Sequence, residues 1–158
     1  MNNQRLISPT KDIYLNSSTT YSTTFEEREK TDFLTTEQLY NAVFENAFHA
    51  MYIGNADGRI IKFNEKLMTL FEYSQWEMAQ NNYSDLFDIY EKSFIDFLDQ
   101  RKKEGIAKAE ITGIKRSGEI FPCRISSVIY YTDAGLKRSM NTIVNISKNI
   151  EARWNIAG

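Results

Sequence analysis

The 158-residue sequence holds a single cysteine, Cys123, a single histidine, His49, and two prolines. One thiol excludes an internal disulfide framework and a multi-cysteine metal site, and suits a reducing compartment. No phosphate-cradling glycine loop, metal-ligand spacing or nucleophile elbow occurs in the chain. No uninterrupted apolar run approaches membrane-spanning length. The first 25 residues also lack the apolar middle section of a signal peptide, so a cytoplasmic location without a membrane span is expected. With 19 basic and 21 acidic side chains the formal net charge is −2. That balance gives no electrostatic reason to expect nucleic acid or an anionic membrane as partner.

Aromatic residues, in contrast, are plentiful: ten Phe, nine Tyr and two Trp, enough for one core. Residues 1–34 contribute little to it. "LNSSTTYSTT" is rich in Ser and Thr and "EEREK" is a charge cluster, the composition of a flexible arm. A flanking helix is predicted over 35–48, opened by a Thr35–Gln38 capping box, with Leu39, Val43, Phe44 and Ala47 at helical spacing. In "AMYIGNADGRIIKFN" Met51 alternates with Ile53, and Ile61 with Phe63, around the turn residues "ADG"; this reads as a β-hairpin. A second capping box, Ser74 to Glu77, opens a short helix. "YEKSFIDFLDQRKKEG" puts Tyr90, Phe94, Phe97, Leu98 and Arg101 on one helical face and ends on Gly105. Strands are predicted over 106–115, 119–131 and 138–147, separated by "RSG" and "TDAGL". Two early strands, three late ones and helices between them make an α+β pattern with a five-stranded antiparallel sheet.

Three stretches together carry a family resemblance. "GNADGRIIKFNEKLMTLFEYSQWEM", with Gly58, Ile60, Asn64, Tyr73, Ser74, Glu77 and Met78, resembles the opening hairpin and short helices of a PAS domain. "KRSGEIFPCRIS" and "NTIVNISKNIEAR" are similar to that family's later strands and to its exit into a signalling helix. The resemblance covers about residues 37–153. It implies a PAS core over 49–149, helices packed on one face of the sheet, and a signalling helix or linker beginning at 150–158. Departures occur at Glu72, where the family commonly has glycine, at Cys123, usually a valine position, and at Asn145 and Ser147, which replace an acid and a threonine. An uncharged Asn145 removes any salt bridge that relatives make there.

Strand parity divides the sheet into two faces. The inward set is predicted as Ala109, Ile111 and Gly113, then Phe121, Cys123, Ile125 and Ser127, then Met140, Thr142, Val144 and Ile146. The opposite parity carries Lys108, Glu110, Arg124, Asn141 and Asn145. With the hairpin and helices this gives a candidate pocket or core lining of Ile53, Ile61, Phe63, Leu70, Phe71, Phe94, Phe97, Leu98, Ile111, Phe121, Cys123, Ile125, Met140, Thr142 and Val144. Small residues at 107, 109 and 113 either receive helix aromatics in a packed core or leave a cavity for a small ligand; apolar strand faces are normally core, which favours packing. The outward apolar residues Val128, Tyr130 and Ile143, with Leu39, Val43 and Phe44 of the flanking helix, make a candidate interface. Pro122 removes a ladder donor and predicts a strand edge or bulge.

Cofactor motifs are missing by the same comparison. Haem-binding relatives place their histidine on the long helix, which has none here, and His49 reads as a surface or capping residue. Flavin-adduct relatives carry their cysteine before that helix, where this chain reads "MAQNNYSDLF". Cys123 reads as a small buried hydrophobe, and the acids Asp85, Asp88, Glu91, Asp96 and Asp99 as helix-surface charges. The resemblance therefore implies a non-enzymatic sensory or regulatory module, as in a sensor histidine kinase. Such a module binds a small molecule or a partner, dimerises, and relays a signal to an output domain or partner kinase. Two alternatives stand beside it: a filled dimerisation module, and a sensor with non-covalent flavin or haem.

Overall fold

The computed structural model describes residues 38–39 and 41–157. The proposed flexible arm and Thr35 lie outside the described residues. Residues 38–39 and 41–45 are helical, and Leu39 and Val43 are exposed. From Phe44 onward the chain forms one compact unit. Its strands are β1 (Ala50–Asn55), β2 (Ile60–Phe63), β3 (Ile106–Ile114), β4 (Ile120–Tyr131) and β5 (Lys137–Asn145). They build one five-stranded antiparallel sheet in the order β2-β1-β5-β4-β3. The helices are α1 (Glu65–Phe71), α2 (Gln75–Met78), α3 (Tyr83–Leu86), α4 (Lys92–Glu104) and α5 (Ser147–Ala157).

Local chemistry sets these boundaries. The Ser74–Glu77 capping box closes reciprocally at 3.2 Å in both directions. Gly105 ends α4 in the left-handed region at φ 75°, over a last turn of Arg101, Lys102 and Lys103 that suits the helix dipole. Glu72 ends α1 in the same region at φ 63°, which explains why relatives commonly place glycine there. Its carboxylate lies 3.4 Å from the Lys115 ammonium.

Asn64 joins three elements. It caps α1 by accepting from the Leu67 N–H, and its Oδ1 also accepts from the Met51 N–H in β1. Its Nδ2 donates to the Phe44 and His49 carbonyls at 2.9 and 3.0 Å. The side chain is fully buried and every hydrogen-bonding position of its amide is used.

The helices cover one face of the sheet. Phe71, Phe87, Phe94 and Phe97 are buried there, with Leu67, Met78, Leu86 and Ile111. Phe71 meets Phe87 edge-on at 5.6 Å, and Phe87 stacks on Phe94 at 5.8 Å. Burying each of these rings contributes about 1.5–3 kcal/mol. Gly113 lies under the Phe121 ring, where a Cβ would come within 2.5 Å of it. At this end of the sheet Gly113 receives an aromatic ring, and the ring comes from the neighbouring strand rather than from a helix.

Several sequence expectations are corrected. In β5 the core-facing residues are Ser139, Asn141 and Ile143, so Met140, Thr142 and Val144 belong to the other face. Ile143 is 1% exposed and part of the core, not an interface residue. The polar Asn141 suggested the opposite parity, and a one-residue error of parity inverts a whole strand. Ile53 is buried on the face opposite Tyr52, paired with Met140, and Ile61 is exposed beside an irregularity in the β1–β2 register. Phe44 is buried, with the Lys62 ammonium 5.0 Å from its ring centroid, and is not available as an interface residue. Tyr90 precedes α4 and is exposed.

Pro122 lies in an interior strand rather than at an edge or bulge, since β4 pairs with both β3 and β5. Its carbonyl accepts from Ile146, just past the end of β5, so its missing N–H faces a point where the ladder has already ended. The edge strand beside it, β3, is covered locally: Asp88 N–H donates to the Thr112 carbonyl, and the Glu91 carboxylate receives both the N–H and the hydroxyl of Thr112.

Replacing Asn64 with Leu removes the side-chain partner of two carbonyls and two N–H groups, leaving the buried Phe44 carbonyl and the Met51 N–H most affected. The expected cost is roughly 2–4 kcal/mol in urea unfolding; a loss below about 1 kcal/mol would show that water satisfies these groups.

Candidate functional site

The aromatic packing ends at Phe97. Just beyond it along α4, Leu98 and then Arg101 border a cavity of about 280 Å³. The first strand supplies Tyr52, Gly54 and Asn55, the β1–β2 turn Ala56 to Gly58, α3 Tyr83, and the β4–β5 hairpin Ile129, Lys137, Arg138 and Ser139. The α4 repeat explains the change of character: Phe94, Phe97, Leu98 and Arg101 fall on one helical face, and only the last is polar.

Two glycines make the space. A Cβ on Gly54 would sit 2.9 Å from the Ser139 hydroxyl. Gly58 has φ 83°, and a Cβ there would collide with the Tyr83 ring at 2.3 Å. The turn is further held by Asn82, whose Nδ2 donates to the Asp57 carbonyl at 3.0 Å.

Arg101 is the chemical centre of the cavity. Its guanidinium donates to Ser127 Oγ at 3.1 Å and approaches Asn141 Oδ1 at 3.5 Å. It also lies 5.5 Å from the Phe97 ring centroid. Asn141 Nδ2 in turn donates to Ser139 Oγ at 2.9 Å, so Asn141 is oriented from behind. Burial lowers the Arg101 pKa from its usual value, while the ionisation of the two neighbouring tyrosines opposes that shift; the group remains charged. Burial pushes the Tyr52 hydroxyl above the usual tyrosine range, with Arg101 pulling the other way.

Of the predicted lining residues, only Leu98 borders this cavity. Phe71, Phe94, Phe97, Ile111, Phe121, Cys123 and Ile125 are buried core, with Phe63 and Leu70 packed against it. Ile53, Ile61, Met140, Thr142 and Val144 are elsewhere, as described above. The signal for the missed residues was Arg101 itself, a cation on an otherwise apolar helical face. The predicted exterior residues Val128 and Tyr130 are 42% and 36% exposed on the sheet's other face. His49 is exposed, and its backbone carbonyl accepts from Asn64. Cys123 is wholly buried, and burial, then the nearby Glu91 charge, pushes its thiol up to about 12.

Behind the sheet, Asn145 serves the exit helix. Its Oδ1 accepts from the Ser147 N–H and hydroxyl at 3.0 and 2.6 Å. The ionic link sits on Glu110 instead, whose carboxylate lies 3.3 Å from Arg153 of α5 and 3.4 Å from Arg124 of β4. Arg153, then Arg124, hold the Glu110 carboxyl below the usual range. Among the described residues no group of His, Cys, Asp and Glu could hold a metal ion, and no helix is long and apolar enough to cross a membrane.

Comparison with known proteins gives a consistent result. A family profile described as PAS domain matches residues 49–151. Among solved structures, a PAS domain from a two-component sensor histidine kinase has TM-score 0.60 at 15% identity, covering 74% of this chain and 98% of that one. A PAS domain in complex with ethanol, from a LuxR-family transcriptional regulator of Burkholderia thailandensis, has TM-score 0.59 at 18% identity, with coverages of 68% and 97%. A domain of a sensory box sensor histidine kinase/response regulator from Geobacter sulfurreducens has TM-score 0.59 at 17% identity, covering 72% and 96%. No curated protein matches the chain in sequence.

Cys123 and Tyr52 both bind their protons more tightly folded than unfolded. The unfolded thiol titrates near 9.0 and the folded one near 12, so the unfolded state binds fewer protons between those values. The stability contribution is intact below about pH 9 and is lost as pH rises toward 12. Urea midpoints measured upward from pH 8 are expected to fall, and Cys123→Val to fall less steeply; equal slopes would contradict the assignment. At about pH 8 the native thiol is also expected to resist thiol reagents until the protein unfolds.

Proposed function

We propose, from the premise that the chain belongs to the PAS-domain family, that it is a sensory or regulatory module rather than an enzyme. It takes a small molecule in the cavity beside Arg101 and passes the change through the sheet to α5, and from there to an output domain or partner kinase. One observation carries this reading: a cavity framed by α4, β1 and the β4–β5 hairpin, in a sheet whose β3 and β4 hold the exit helix through Glu110. The structural relatives from sensor kinases and the relative holding ethanol support it by analogy of fold.

A second reading, a dimerisation module, is favoured by a different observation. The sheet face away from the helices exposes Ile106, Val128 and Tyr130. A retained small molecule in native mass spectrometry supports sensing; a dimer without one supports interaction alone. Cytoplasmic signalling is the setting that suits either role.

The relay gives its own test. Glu110→Gln removes the charge that Arg153 and Arg124 share, so amide exchange in residues 147–157 is expected to quicken several-fold while β1 and β5 stay unchanged. Unchanged exchange in α5 would remove Glu110 from the relay.

A further inference from the structure

The charge around the cavity is unlike that of the whole chain. Arg101, Lys102, Lys137 and Arg138 border it with one acid, Asp57, whereas the chain as a whole carries a net −2. Among the described residues none of the four cations forms a salt bridge, although Lys92, Lys103, Lys115, Arg116, Arg124 and Arg153 each do. Arg138 is turned back onto the Lys137 carbonyl at 2.9 Å. Arg101 is the deepest of them, and among the described residues its hydrogen-bond partners are neutral, Ser127 and Asn141.

A half-buried guanidinium of this kind lacks the compensation that buried charges ordinarily find. Two of its five donor positions at most are engaged by Ser127 and Asn141 through one nitrogen. Those contacts fix the plane of the fork and leave its remaining N–H groups for a second, planar acceptor. Around it stand two tyrosines, Tyr52 and Tyr83, and the apolar Leu98 and Ile129. The volume of about 280 Å³ corresponds to roughly nine waters at about 30 Å³ each, room for an occupant of about ten non-hydrogen atoms.

We infer that the ligand of this cavity is a small organic carboxylate, bound through the Arg101 guanidinium, with its carbon chain against Leu98, Ile129 and the tyrosine rings. A carboxylate matches the guanidinium fork in charge and geometry, and the apolar wall favours an organic acid over a bare inorganic ion. The lysines and Arg138 at the rim raise the local concentration of anions and speed their entry. The inference rests on the sensory reading and names its ligand class.

The test is calorimetric titration of the full chain with acetate, lactate, succinate and glutarate against their amides and inorganic phosphate, with amide exchange of 147–157 followed in parallel. At least one carboxylate is expected to bind while its amide does not. Arg101→Gln is expected to weaken that binding roughly 10- to 100-fold, and Arg101→Lys less. If Arg101→Gln does not fold, Lys102→Gln with Arg138→Gln replaces it and is expected to reduce the salt dependence of binding. Equal binding of acid and amide, binding of phosphate alone, or full binding by Arg101→Gln overturns the carboxylate assignment. Among these, a neutral binder that changes α5 exchange leaves the sensory reading standing. No binding by any of these probes overturns the assignment as well, and it sinks the sensory reading too if native mass spectrometry finds no retained molecule.

Discussion

The amide of Asn64 is the constraint on which the arrangement rests. It is buried without charge, and its four hydrogen bonds tie the segment before β1, the first strand and the start of α1 to one point. An amide is suited to this because it donates and accepts at once; a carboxylate could accept only, and an aliphatic side chain could do neither. The angle at which the chain leaves β2 for the helical layer follows from it. Between that layer and the sheet lies the interior space that the buried core occupies in part.

That space is divided along its length by side-chain size. Toward Gly113 the rings of Phe71, Phe87, Phe94 and Phe121 close it, and the glycine exists because Phe121 needs its volume. Toward Gly54 and Gly58 the sequence supplies Ser127, Ser139, Asn141 and Arg101, smaller or polar side chains held to one another by hydrogen bonds rather than closed by rings. A packed core and a cavity are thus two halves of one concave face. The packed half gives the rigidity that holds the guanidinium in place; the polar half keeps an opening that apolar side chains would have filled.

The sequence made the elements legible because their signals are local. The Ser74–Glu77 box, Gly105 and the residues of the β1–β2 turn each act over a few positions, and each lies where the pattern placed it. The facing of β5 was not legible. Its apolar residues alternate with Ser139 and Asn141, and the rule of polar residues outward fails when a buried cation needs polar neighbours. Asn141 and Arg101 are separated by 40 positions. Each explains the other only in three dimensions, which is why Arg101 read as one polar position on an apolar helix face. Asn145 shows a related limit: the lost acid of the family pattern removes a salt bridge at that position, whereas Glu110, two strands away, carries an ionic link to the exit helix.

The strength of that link bears on how a small ligand could act. Glu110, Arg124 and Arg153 are each about half exposed, and exposed ion pairs of this kind contribute about 0–1 kcal/mol. A coupling of only about 1–3 kcal/mol is enough to change an affinity or a population 5- to 150-fold. A ligand need not remake the core to reach α5. It needs only to bind one arrangement of β4 better than another. Ser127 and Arg124 lie three positions apart on that strand, on opposite faces, the first touching Arg101 and the second Glu110. Were a ligand to shift β4, the same stretch of backbone would carry the shift to both the cavity and the exit helix, and the weak outer ion pairs would let the helix respond.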